Sequence, residues 1–265
     1  HKEYRRQRQM CIRDRSLTMK LDTNRVVVLI SLLMTVTFVI VALFSKASNP
    51  IPDFTVYDNV KDKKLAFFEY MLPLVKEQNS LIKDQRERLL ELRHLSVSEF
   101  SRAQEDLVTK LMKEYRVKSD QLSKEDINQL LLRVDEVPAS LALAQAALES
   151  AWGTSRFAVQ ANNLFGQWCY TKGCGLVPLR RDAGSSHEVE KFRTVSDAVS
   201  SYLRNINSHR AYAGLRKDRA QLRATGDAVT GYKLAEGLVD YSELREAYVK
   251  EIQAVIRINK LAQYD

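Results

Sequence analysis

The stretch ASLALAQAALESAW, residues 139–152, constrains the fold more than any other part of the chain. Alanine and leucine favour a helix. Pro138 and Ser140 stand at its opening, and Gly153 is placed to stop it. The helix is apolar on nearly every side, so it cannot lie on a surface; other segments must enclose it. Between Val137 and Ser155 the only charged side chain is Glu149, in a chain where 28% of residues are charged. Glu149 sits near the C-terminal end, where the helix dipole disfavours negative charge. Desolvation works in the same direction, so the carboxyl should keep its proton closer to neutrality than a surface glutamate does. A protonated carboxyl facing a cleft can act as a general acid on a glycosidic oxygen. A structural ion pair, or a cap to a neighbouring loop, is the other role open to such a residue.

The flanking sequence supplies the cover. Val60, Phe67, Phe68, Met71, Leu72 and Val75 share a helical face, and Pro73 is expected to break or kink that helix. A second helix is expected through Ile82, Leu89 and Leu92, and a third with Phe100, Ala103, Leu107, Leu111 and Tyr115 on one stripe. Ser123, followed by KED, reads as an N-cap with acids in the first turn. After the buried helix, NLFGQWCYTKGCGLVPLRR reads as a hairpin turning at Lys172-Gly173, and HEVEKFRTV as a third strand. Helices resume from Ser196, with a shorter one from Tyr212 to Leu215 and a last one from Ser242. The expected class is α+β, mainly α, with a small antiparallel β insertion beside the end of the buried helix.

The run 26–44 carries no charge and as a helix reaches about 28 Å, enough to cross a hydrocarbon core. Lys20 and Arg25 precede it, and Asp53 and Asp58 follow. The positive-inside rule then places the N-terminus in the cytoplasm and the rest outside, in the periplasm. Ser45 and Ala47 form a small-x-small pair, so a form cleaved after Ala47 is the alternative. Residues 1–18 fit neither the span nor the rest. Their QMCIRDRS portion resembles translated adapter sequence, and Met19 is read as the start. The expected organisation is a leader over 1–25, a span over 26–44, a linker over 45–59, a helical brace over 60–122 and a catalytic domain over 123–265.

Net charge is +8 and the pI about 9.3, which favours an anionic lipid surface or an acidic polymer. No finger spacing and no RNP aromatics occur, so nucleic acid is not expected as a partner. Cys169 and Cys174 bracket YTKG. Outside the membrane this pair is expected to close a local disulfide across the hairpin, with two free thiols as the alternative. His94, His187 and His209 show no triad or metal spacing, and no metal or cofactor is expected.

The run ALAQAALESAWGTSRFAVQANNLFGQWCYTKGCG resembles the active-site signature of bacterial β-N-acetylglucosaminidases that degrade peptidoglycan. Its core is Q-A-x-x-E-S-x-W-G followed by N-L-F-G. The Cys-flanked hairpin, the VDEVPASLALAQ lead-in and the YSELREAYVKEI tail are similar to the Bax-type branch of that family. The resemblance covers about Val60 to the C-terminus. It implies a lysozyme-like α+β fold, peptidoglycan glycan strands as partner, and cleavage of the β-1,4 bond after N-acetylglucosamine with Glu149 as general acid. It also implies a second acid in the β region, where Glu188 is favoured over Asp182 and Glu190; solvated strand-edge charges are the other reading of all three. The 2-acetamido group of the substrate can replace a second acid altogether. Phe165 and Trp168 could offer faces to pyranose rings, or pack in the core. Asn163 and Gln167 carry amides suited to sugar hydroxyl and acetamido groups, although Asn163 serves a turn equally well. Tyr212 matches a family tyrosine near the cleft. A lytic transglycosylase and a non-catalytic wall-binding scaffold are the competing functions.

Overall fold

The computed structural model describes residues 27–28, 30–37, 50–179, 181, 184–239 and 246–265. Much of the expected membrane span lies outside these residues. Within it, residues 30–37 are helical, and among the described residues no helix is long and apolar enough to cross a membrane.

Residues 49–265 pack as one compact unit. Its helices are α1 (Val60–Leu92), α2 (Arg102–Glu114), α3 (Lys124–Arg133), α4 (Ala139–Glu149), α5 (Arg156–Ala161), α6 (Val195–Ser208), α7 (Ala213–Thr225), α8 (Gly231–Leu234) and α9 (Glu246–Ile258). Strands β1 (Trp168–Cys169), β2 (Gly175–Leu176) and β3 (Glu188–Glu190) lie between α5 and α6. Helix α4 is the centre. Every residue from Ala139 to Ala147 is buried, enclosed by α1, α8, α9 and the short 3-10 turn Leu261–Tyr264.

Helix α1 runs unbroken through Pro73, where the sequence suggested two helices. Proline removes one backbone hydrogen bond and crowds the preceding turn. Burial of Phe67, Phe68, Met71, Val75, Ile82, Leu89 and Leu92 along one side offsets that loss. The brace is therefore part of the same core as α4, α3 and α6, which it packs against. Polar latches fix its register. The amide of buried Asn79 donates to the Val137 carbonyl at 2.7 Å and accepts from the Val137 N–H at 3.1 Å. Arg86 donates to the Val134 carbonyl at 2.9 Å. Both clamp the segment that feeds into α4.

The same segment is also held by an arginine cluster the sequence did not announce. Asp135, buried, meets Arg223 through two bonds of 2.7 and 2.6 Å, and Arg86 and Arg219 each at 3.6 Å. Arg219 is fully buried in α7 and donates to the carbonyls of Leu132, Arg133, Asp135 and Glu136 and to Asn207. Burial pulls its pKa down to about 10, with Asp135 opposing, so it stays charged at neutrality. A guanidinium that donates to five acceptors and faces a carboxylate is one of the few cations that a core tolerates. The start of α4 is capped from far along the chain. The Asp265 carboxylate accepts from the Ser140 N–H at 2.8 Å, the Ser140 hydroxyl at 2.7 Å and the Gly231 N–H at 2.9 Å.

The other end of α4 stops abruptly. Ala151, Trp152 and Gly153 follow one another with φ of 51°, 60° and 77°. Two consecutive non-glycine residues in the left-handed region cost on the order of 1–3 kcal/mol each. They are held by Gly153 N–H to Ser150 Oγ at 2.8 Å and Ser155 N–H to Ser150 carbonyl at 2.9 Å. The reversal also seats Trp152 edge-on against Phe67 and Phe68, centroids 5.9 and 5.4 Å away.

The sheet differs from a simple hairpin plus third strand. Its order is β1-β3-β2, all antiparallel, so β3 lies between the two arms instead of beside them. The arms are joined by a Cys169–Cys174 disulfide, with Cα atoms 6.2 Å apart. Gly175 makes the arrangement feasible: a Cβ there would fall 1.9 Å from the Val189 carbonyl oxygen.

Replacing Asp135 with Asn should cost about 3–5 kcal/mol, because buried guanidinium groups lose their counter-charge. Urea unfolding of the purified chain measures this; a change under 1 kcal/mol would show that the backbone carbonyls suffice without the carboxylate.

Candidate active site

Glu149 is the last residue of α4, half-buried, and lines a cavity of about 720 Å³ between that helix end and the β region. Burial pushes its pKa above the ordinary glutamate value, and a hydrogen bond from Tyr248 partly opposes the rise. That bond, Tyr248 hydroxyl to Glu149 Oε1, is 2.7 Å long and crosses 99 residues of sequence. Gly166, at φ 64°, approaches the other oxygen: a Cβ built there would lie 3.5 Å from Oε2. Among the described residues lining the cavity, Glu149 is the sole carboxylate.

Of the residues expected to contact sugar, Phe165, Gln167, Trp168 and Tyr212 also line this cavity. Phe165 is buried and stacks on Tyr202 at 4.0 Å and 9°, so one ring face is already covered. Trp168 is 55% exposed and stacks on His187 at 4.0 Å, which holds its ring upright at the rim. Gln167 donates from Nε2 to the Ala198 carbonyl at 3.1 Å. Tyr212 is buried, and burial together with the Glu149 charge pushes its phenol pKa up. Asn163 is placed elsewhere. It is buried and donates to the carbonyls of Gln167 and Glu190, while its Oδ1 accepts from the N–H groups of Phe165 and Gln167. It shapes the NLFGQ turn that presents Gly166 to the acid.

Glu188 and Glu190 do not line the cavity beside Glu149. Glu188 is buried on β3, where Oε1 accepts from the Gly173 N–H at 3.0 Å and Oε2 from the Gly175 N–H at 2.8 Å. These amide bonds hold its pKa below the ordinary value. Its carboxylate is thus a pin inside the disulfide-closed loop. Cys169, Cys174 and Glu188 come within 4.8 Å of one another, but disulfide sulfurs are not the thiolates that bind metal. Glu190 is half-buried, and burial raises its pKa. Neither it nor Glu188 lines the cavity. Asp182 lies outside the described residues.

Sequence reading missed several cavity residues. Arg116, Tyr170, Tyr202, Asn205, His209 and Ala211 complete the lining. His209 is held below its ordinary pKa by burial and by Arg116, Arg210 and Arg216, so it is neutral at neutral pH. Gln145 was also overlooked, although a signal was present: it is the one polar residue in the middle of α4 and lies four positions, one helical turn, before Glu149. A second concavity of about 730 Å³, with Lys76, Arg86 and Asp265 in its wall, lies away from the acid. It has mixed charge, and the groups in its wall with shifted proton affinity, Arg86 and Arg223, are guanidinium groups paired with Asp135.

Residues 125–261 match the glucosaminidase family model, described as mannosyl-glycoprotein endo-beta-N-acetylglucosaminidase. The chain is 34% identical over 217 residues to Protein bax of Escherichia coli (strain K12), covering 82% of this chain and 77% of that one. Among solved structures, the catalytic domain of the autolysin Auto from Listeria monocytogenes aligns with a TM-score of 0.37 and 17% identity, over 68% of this chain and 87% of that one. The chain belongs to the glucosaminidase family, with a Bax-type sequence.

Proposed function

We propose that this chain is a peptidoglycan hydrolase that cleaves the β-1,4 bond after N-acetylglucosamine, with Glu149 as the general acid. The observation that carries this reading is the acid itself: one carboxyl, raised in pKa by burial, at the mouth of a cavity rimmed by Trp168 and Tyr170. In that setting Glu149 gives its proton to the glycosidic oxygen as the bond to C1 breaks and the sugar takes on oxocarbenium character. Membership of the glucosaminidase family supports the glycan class. The signature shared with wall-degrading members favours peptidoglycan, and a net charge of +8 suits an anionic wall polymer.

The reaction needs a second group to stabilise the cation or deliver water. Glu188 is charged but committed to two amide protons of the hairpin loop. The 2-acetamido oxygen of the substrate meets the requirement without a second carboxylate, by attacking C1 as the leaving oxygen departs. In this reading Glu188 keeps the hairpin in shape so that Trp168 and Tyr170 present their rings.

Muropeptides released from purified sacculi should carry reducing N-acetylglucosamine ends by mass spectrometry. Glu149→Gln should lower release by about a thousandfold or more. Its melting temperature at neutral pH should be unchanged or higher. The sign follows from linkage: a carboxyl whose pKa is raised on folding destabilises the fold as pH climbs from the unfolded to the folded pKa, and a neutral amide lacks that penalty. Ends of 1,6-anhydro-muramic type would instead mark a lytic transglycosylase, and release by neither wild type nor variant a binding scaffold.

For Glu188→Gln, kcat should stay within about tenfold of wild type while KM rises, because a loosened hairpin weakens binding more than chemistry. A loss of kcat of about a thousandfold at constant KM, restored by added azide or formate, would make Glu188 the second acid.

A further inference from the structure

Four side chains from three helices form one hydrogen-bonded line that ends on the acid. The Tyr202 hydroxyl on α6 donates to Gln145 Oε1 at 2.6 Å. Gln145 Nε2 on α4 donates to the Tyr248 oxygen at 3.0 Å. The Tyr248 hydroxyl on α9 donates to Glu149 Oε1 at 2.7 Å. Tyr202, Gln145 and Tyr248 are all buried.

The line has a direction. An amide oxygen only accepts and an amide nitrogen only donates, whereas a hydroxyl does both. The Gln145 nitrogen donates to the Tyr248 oxygen, and the Tyr248 hydroxyl donates in turn to Glu149 Oε1. Oε1 is then an acceptor, and the carboxyl's own proton cannot also lie between Oε1 and Tyr248. It is left to Oε2. That oxygen lies beside Gly166, whose missing side chain leaves its surroundings open.

We propose that Gln145 and Tyr248 are positioning residues that hold the transferable proton of Glu149 on Oε2, facing the cavity, with Tyr202 setting the direction of the line. This rests on Glu149 being the general acid. As the C1–O bond breaks, its electron pair stays with the departing oxygen, which takes the proton from Oε2. Glu149 becomes a carboxylate, and the bond from Tyr248 to Oε1 becomes charge-assisted and stronger. An interaction that strengthens as the reaction proceeds lowers the barrier, not only the energy of the bound state. Among the described residues, the other titratable groups lining the cavity are Tyr212 and His209 from the segment after α6, Arg116 from the segment after α2, and Tyr170 from the hairpin.

The test compares the full chain with Tyr248→Phe by steady-state kinetics on soluble glycan across pH. The variant should lose about ten- to a hundredfold in kcat, the scale for a misplaced reacting group, with KM changed by less than about threefold. The basic limb of its kcat profile should also move to higher pH, because the ionised acid has lost a donor. The shift should persist in a His209→Gln background, which separates it from the imidazole. Loss of the hydroxyl orphans Gln145 Nε2, so Gln145→Met/Tyr248→Phe is assayed as well; it removes both polar partners and should show the same displaced limb. An unmoved basic limb in either folded variant, whether or not kcat falls, overturns the proposal and leaves the line a packing feature. Substantial activity in Glu149→Gln would instead remove the acid assignment beneath it.

Discussion

A helix without a polar face has to be enclosed on all sides, and α4 is enclosed by elements drawn from the whole unit. Helix α1 covers one side, α8 and α9 others, and the last turn of the chain caps its start. That enclosure is a large apolar gain, at roughly 25 cal/mol per Å² removed from water. It also creates the chemistry. A carboxyl on the final turn of such a helix loses most of its hydration and sits at the negative end of the dipole. Core and acid are therefore one construction: whatever opens the packing around α4 also lowers the proton affinity of Glu149.

Position matters as much as affinity, and the chain fixes the ends of α4 by polar means. At the entry, Asn79 and Arg86 from α1 and Arg219 and Arg223 from α7 immobilise residues 131–137, with Asp135 as the shared counter-charge of the arginines. At the exit, the left-handed pair Ala151 and Trp152 reverses the chain within two residues of Glu149. The conformational cost at Ala151 and Trp152 is met by Trp152 seating against Phe67 and Phe68. The reversal ends the helix at the acid instead of carrying it on into the cavity. Strain of this kind is common where a reactive group must be held in one place.

The apolar helix, its solitary charge, the Ser123 cap and the cysteine-closed loop were all legible in the sequence, because each is a local pattern. What was hidden depends on distant residues. Arg219 and Arg216 carry no mark of burial in their local sequence, yet both are buried. Only the placement of Asp135 and several free carbonyls on a facing element makes that tolerable. Tyr248 stands on the last helix, but nothing local says that its hydroxyl meets Glu149. Pro73 argued for a break that packing overrides. Glu188 shows the opposite limit: strand alternation puts it on one face with Glu190, and the glycine amides that capture it belong to a loop whose shape the alternation cannot reveal.

The central claim is that burial keeps a proton on Glu149 above the range of an ordinary glutamate. Carbon-detected NMR of the chain labelled in glutamate side chains, with Glu149 assigned by its absence from the Glu149→Gln spectrum, measures that directly. The account predicts a titration midpoint clearly above 4.5, the unperturbed glutamate value, and higher again once Tyr248 is replaced by Phe. A midpoint at or below 4.5 would mean that the carboxyl is a solvated anion at neutral pH, and the assignment of Glu149 as general acid would be contradicted.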